Sequence, residues 1–99
     1  MRPVLATDLI CAARVVMHAP KMRQASVAQA LIVEAETADW HRHHYGEAHP
    51  RFGDGTLAAA ARNADMSEER TMCDTEFASA MIVVLQTLLR RAAVQRSRV

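Results

Sequence analysis

The sequence predicts an all-α fold, a small bundle of about four helices with a glycine- and proline-containing loop in the middle, and three observations carry that prediction. Good helix formers, alanine and arginine above all, dominate, while the aromatic residues that favour strands make up only 4% of the chain. β-Branched residues fall inside runs that are otherwise helical, as at Ile82, Val83 and Val84, with no sustained apolar/polar alternation bounded by turns. All three glycines, Gly46, Gly53 and Gly55, gather in one segment together with Pro50.

Each element follows from local signals. Thr7 or Asp8 is placed to cap a first helix running to about Ala19, with Leu9, Ala13, Val16 and Met17 facing inward. Pro20 ends that helix and suits the first turn of a second, which runs to Tyr45 before Gly46 stops it. Val27, Leu31, Ala35, Ala38 and Tyr45 share one face of the second helix and predict a core stripe. On its other side Val33, Thr37, Trp40 and His44 form a second line, so this helix is expected either to be sandwiched within its own domain or to bury one face against a partner. After the glycine-rich loop, Thr56 caps a short alanine-rich helix from Leu57 to about Ala64. Residues 65 to 73 read as loop or as one turn begun at Ser67. Asp74 caps the last helix, with Glu76 in its first turn and Arg90 and Arg91 toward its end. Phe77, Met81, Val84, Leu85, Leu88 and Ala92 make its broad inward face, which Ile82, Val83 and Leu89 extend almost around the helix, so it is expected to be the central element.

At 99 residues the chain accommodates one helical domain, with a basic tail expected from about residue 90. So small a core has a thin stability margin, which favours a partner or a second copy. A net charge of +1 excludes a strong global attraction to nucleic acid or membrane. Cys11 and Cys73, without CxxC pairing, read as free thiols of a reducing compartment. Asp8 precedes any apolar run able to serve as a secretion signal, and the uncharged run Phe77 to Leu89 is shorter than the roughly 20 residues a membrane span needs. A cytoplasmic location without membrane attachment is expected.

Three clusters carry candidate chemistry. In the segment from Trp40 to His49, His41 and His44 stand one helical turn apart and, with Glu47 and His49, form a candidate metal set. The HExxH spacing is absent, and a solvated basic helix end accounts for the same residues. Asp39 and His43, four apart, predict a surface ion pair. In the segment from Arg51 to Thr56, Gly53, Gly55 and the helix N-terminus at Thr56 outline an anion cradle that Arg42, His43, His49 and Arg51 would flank. An Asp-Gly turn followed by a threonine cap explains it without a ligand. Arg90, Arg91, Arg96 and Arg98 offer phosphate contacts, although no recognition helix or base-stacking platform accompanies them, so nucleic acid is not the favoured partner. Cys11 and Cys73 have no sequence-evident activating base, and Ser26, Ser67 and Ser79 lack a GxSxG setting, so no cofactor is expected and an enzyme, using His41, His44 or His49 as acid, base or ligand, is the third reading behind interaction and anion binding.

Met1 to Val4, His41, Arg42, Gly46, Ala48, His49, Pro50, Phe52, Gly53, Gly55, Thr56 and Leu57 together form a pattern, followed by an alanine-rich helix and by an acidic start and apolar body from Asp74 to Leu89. Over most of its length the chain thereby resembles a family of small uncharacterised proteins from Rhodobacter-type alphaproteobacteria, a domain of unknown function. The family pattern carries arginines where His43 and His44 stand, which favours a basic helix end over a metal cage. The resemblance implies an organism type and a fold, but no chemistry. The function expected from the residues is a nonenzymatic helical interaction or regulatory module that self-associates or binds a protein partner through Val33, Thr37, Trp40 and His44. Anion or nucleic acid binding is the first alternative and the histidine metal site the second.

Overall fold

Among the described residues four α-helices form where the local signals place them, with boundaries shifted by a few residues: α1 Ala6–His18, α2 Gln24–Tyr45, α3 Leu57–Arg62 and α4 Thr75–Ser97. The computed structural model describes residues 1–97, so Arg98 of the basic stretch lies outside the described residues. No strand forms among the described residues; His49 and Gly53 make an isolated antiparallel bridge.

The start of α1 corrects the expected cap. The helix begins after Leu5, and Asp8, in its first turn, is buried. Asp8 Oδ2 accepts the Leu5 N–H at 2.8 Å, while Oδ1 accepts the N–H of Ala58, in the first turn of α3, at 2.9 Å. One carboxylate therefore satisfies orphan donors at two helix N-termini, where the helix dipoles favour negative charge. Because α1 packs against all three other helices, its buried face is broad: Cys11, Ala12, Ala13, Val15 and Val16 are inside. Leu9 and Met17, expected inward, are only partly covered at its margins.

Pro20 precedes a 3-10 turn, Lys21–Arg23, rather than sitting in the first turn of α2. The far end is as expected, with Gly46 at φ 72° donating its N–H to the Arg42 carbonyl at 2.9 Å. Leu31, Ala35 and Ala38 are buried and Val27 partly so, but Tyr45 is 63% exposed. Standing on the last residue of the helix, Tyr45 meets the rings of Trp40 and His41 on its own helix.

α3 is capped by Thr56, whose hydroxyl accepts the Ala59 N–H at 3.2 Å. The segment after it forms no helical turn at Ser67, because that residue is tied to α1: its N–H donates to the Arg14 carbonyl at 3.1 Å, and Arg14 Nε donates to its carbonyl at 2.8 Å. Asp74 caps α4 as expected, its carboxylate accepting the Phe77 N–H at 3.0 Å.

α4 differs from expectation in two ways. The basic stretch is not a tail, since the helix continues to Ser97 and Arg91 grips Glu36 of α2 through both Nε and Nη2, joined by Gln95 at 3.2 Å. Nor is α4 surrounded. Phe77, Ala80, Val84 and Thr87 are buried against α1 and α2, whereas Ile82, Leu85 and Leu89 are 53%, 45% and 68% exposed, because no element among the described residues covers the far side of the helix. Gln24 and Glu36 along α2 stand near Glu76 and Arg91 along α4, so the two helices run in the same direction, while the end of α1 meets the start of α4 at Met17. With its extra turns α4 is long and apolar enough to cross a membrane by length and composition, with a mean hydropathy of 1.5 over its most apolar window.

The buried residues form one continuous cluster rich in alanine, with Phe77, Ile32, Leu57, Val16 and Val84 as its largest fully enclosed members. Small side chains such as Ala13, Ala35, Ala60 and Ala80 let the helices approach closely at the centre.

Candidate interaction surface at the end of the second helix

The final turns of α2 and the loop that follows hold three of the four aromatic residues of the chain, and these interleave with histidines. The Trp40 ring stacks on His44 with centroids 4.0 Å apart and meets Tyr45 edge-on at 6.2 Å. His41 lies 4.7 Å from Tyr45 and 5.0 Å from His49, and His49 in turn stacks on Phe52 at 4.8 Å, with the Arg51 guanidinium 5.5 Å from the Phe52 ring. The result is a continuous ladder of planar groups at one end of the molecule.

Its α2 portion contains the line singled out by helical spacing. Val33, Thr37, Trp40 and His44 are all exposed. The Thr37 hydroxyl donates to the Val33 carbonyl at 2.8 Å and His44 Nδ1 donates to the Trp40 carbonyl at 2.9 Å, so both polar side chains are folded back on their own helix. Val33 also borders a groove of about 330 Å³ between α2 and α4, lined by Ile32, Thr87, Arg90 and Val94.

The expected metal set His41, His44, Glu47 and His49 is not brought together. His41 turns toward the loop, its Nδ1 donating to the Glu47 carbonyl at 3.3 Å, while His44 is held by Trp40. His49 Nδ1 is occupied as an acceptor for the backbone N–H groups of Arg51 and Phe52, each at 3.0 Å. Neighbours one turn apart have thus been drawn to different partners, and among the described residues no three His, Cys, Asp or Glu side chains converge as metal ligands.

The expected anion cradle is filled from within. Asp54 Oδ1 accepts both the N–H and the hydroxyl of Thr56, at 3.0 and 2.7 Å, and these bonds hold its carboxyl below the usual carboxylate range. Asp8 takes the Ala58 N–H, Thr56 takes that of Ala59, and the Gly53 N–H donates to the His49 carbonyl at 3.1 Å. Gly53 and Gly55 serve close packing. A Cβ on Gly53 would stand 2.7 Å from that of Ala59, and one on Gly55 would stand 2.8 Å from that of Asp39, at φ values of 87° and 96°.

The flanking cations are also engaged or apart. Arg42 donates to Asp39 at 3.1 Å, and His43 approaches the same carboxylate at 3.6 Å, the pair expected from spacing. Burial opposes ionisation of Asp39, but the Arg42 hydrogen bond, the Met1 ammonium at 3.3 Å and the His43 charge together hold its carboxyl low. The Arg51 guanidinium sits by the Phe52 ring, and its charge only partly offsets the burial that lifts the carboxyl of Glu34.

The sequence reading missed the buried role of Asp8, the Glu36–Arg91 clamp, and Phe52 and Tyr45 as rungs of the aromatic ladder. An acidic residue three positions into a helix was the available signal for Asp8. The other contacts join residues that are distant in the chain or depend on where the loop lands.

No curated protein and no solved structure matches the chain. A family model described as a domain of unknown function, DUF7742, matches residues 2–88, the region in which the histidine segment, the glycine turn and most of α4 all fall, and the chain belongs to that family.

Proposed function

We propose that this chain is a nonenzymatic helical interaction or regulatory module that binds a protein partner through the outer face of α2, with Val33, Thr37, Trp40 and His44 as the contact line. The observation that supports this reading is the pose of Trp40. The residue is 55% exposed, yet its ring is stacked on His44 and edged by Tyr45, so apolar surface is presented to solvent in an orientation already restrained. Tryptophan and tyrosine dominate binding hot spots, and a side chain ordered beforehand loses less entropy on association. The internal use of the turn's donors and the dispersal of the histidines remove the specific support for an anion or a metal at the same end.

The proposal includes a cytoplasmic setting, in keeping with the free thiols Cys11 and Cys73, and the Rhodobacter-type origin that the family resemblance implies. It is tested by native mass spectrometry of the untagged protein purified from its host, wild type beside Trp40→Ala. The expected outcome is a complex with a second protein that the variant loses at unchanged helical circular dichroism. A complex retained in full by the variant, or wild-type protein that carries no second protein, sinks the reading.

A further inference from the structure

The outer face of α4 carries a pattern of its own, separate from the α2 surface. Ala78, Ile82, Leu85, Leu89, Ala92 and Arg96 follow one another at alternating spacings of four and three residues, the seam of a coiled coil. Ile82, Leu85 and Leu89 are the exposed large apolar residues of this seam, while Phe77, Ala80, Val84 and Thr87 point the opposite way into the core. One helix therefore has two apolar faces, and the chain covers one of them. The positions flanking the seam, Ser79, Gln86 and Ala93 on one side and Met81, Leu88 and Gln95 on the other, are all uncharged, so closing the seam against another helix would strand no charge in its centre.

We infer that this face is the interface of a homodimer in which α4 of two copies pack antiparallel about a two-fold axis. The one acidic and one basic residue at opposite ends of the seam match a second copy laid in the opposite direction. On the seam side the start of α4 carries Asp74, which also pairs with Arg70, and its end carries Arg96, while Glu76 and Arg90 turn toward the grooves against α1 and α2. A parallel copy sets acid beside acid, base beside base and like helix-dipole ends together; an antiparallel copy sets each acidic start along a basic end. The side-chain sizes fit the same arrangement. Ile82 faces Leu85 of the second copy, and Leu89 faces its Ala78, a large residue against a small one, at both symmetry-related positions. In that register Arg96 lies beside Asp74 of the second copy.

Sedimentation equilibrium of the full chain tests the assembly, and pulsed electron spin distances test its direction. At tens of micromolar the wild type is a dimer, and Leu85→Glu and Leu89→Glu each weaken association at least tenfold. Both variants keep their helical circular dichroism, because neither side chain is part of the core. Trp40→Ala leaves the dimer intact, which separates this interface from the α2 surface. With Cys73→Ser removing the exposed thiol, a spin label at Ser97→Cys reads about 40 Å across an antiparallel dimer, from 1.5 Å of rise per residue, and less than about 20 Å across a parallel one. A wild type that stays monomeric at hundreds of micromolar overturns the proposal. So does a dimer indifferent to Leu89→Glu, a short label distance, or a monomer that instead binds phosphatidylglycerol vesicles through α4.

Discussion

The glycine turn before α3 and the outer face of α4 resolve opposite problems. The turn is rich in residues that chemistry uses, His49, Arg51, Asp54 and Thr56, and it spends nearly all of them internally: carboxylates and an imidazole take up the backbone donors that an anion would need. α4 is built of residues that packing uses, and it leaves Ile82, Leu85 and Leu89 in solvent. The difference teaches that accessibility, not residue type, separates a structural constellation from a surface available for binding. Polar groups in a small domain are consumed first by helix ends, whereas apolar groups remain free wherever the chain runs out of elements to cover them.

The contrast breaks most visibly at Asp8. Asp8→Ala leaves the N–H groups of Leu5 and Ala58 without their acceptor, the latter buried, and the expected loss is about 3 kcal/mol, read by urea denaturation. A loss below about 1 kcal/mol would mean that water replaces the carboxylate and that the turn is open to a ligand after all. Next in size is a comparison of glycines. Gly55→Ala forces a Cβ against the backbone of α2 at 2.9 Å and is expected to cost about 2 kcal/mol, while Gly46→Ala, with nothing within 4 Å, costs only its left-handed backbone, about 1 kcal/mol. Equal melting temperatures for the two variants would contradict the close approach of the turn to α2.

The smallest effect is electrostatic. Asp39 has a carboxyl held low in the folded protein, so its contribution is complete above the unfolded value of roughly 3.9 and is lost as pH falls through the lower folded value. Stability of the wild type relative to Asp39→Asn should therefore be about 1 kcal/mol at neutral pH and vanish toward pH 2, in paired thermal melts across that range. A difference that grows on acidification would reverse the sign and dismiss the ion pair.

Much of the architecture was legible because it is local. Gly46 ending α2, Thr56 capping α3 and Asp74 capping α4 are each decided within four residues, and the Asp39–His43 pair needs only helical spacing. The candidate surface was half legible: periodicity put Val33, Thr37, Trp40 and His44 on one line, but the rungs supplied by His49 and Phe52 depend on how the loop folds back. Asp8 was misread as a cap because its second partner lies fifty residues on. Tyr45 and Leu89 were misplaced for a shared reason. Helical spacing says which residues share a face, not whether another element extends far enough to cover it.

Three polar ties of this fold reach across the middle of the chain. Asp8 to Ala58, Arg14 to Ser67 and Arg91 to Glu36 join residues 50, 53 and 55 positions apart, so each stitches the first half of the sequence to the second. Neither half contains a finished core or a complete set of helix ends, and the chain must close these distant contacts before any part of it is secure. The molecule is therefore indivisible despite its modular-looking helices: cut within the glycine loop, its two fragments would be mutually dependent, each acting as the other's template.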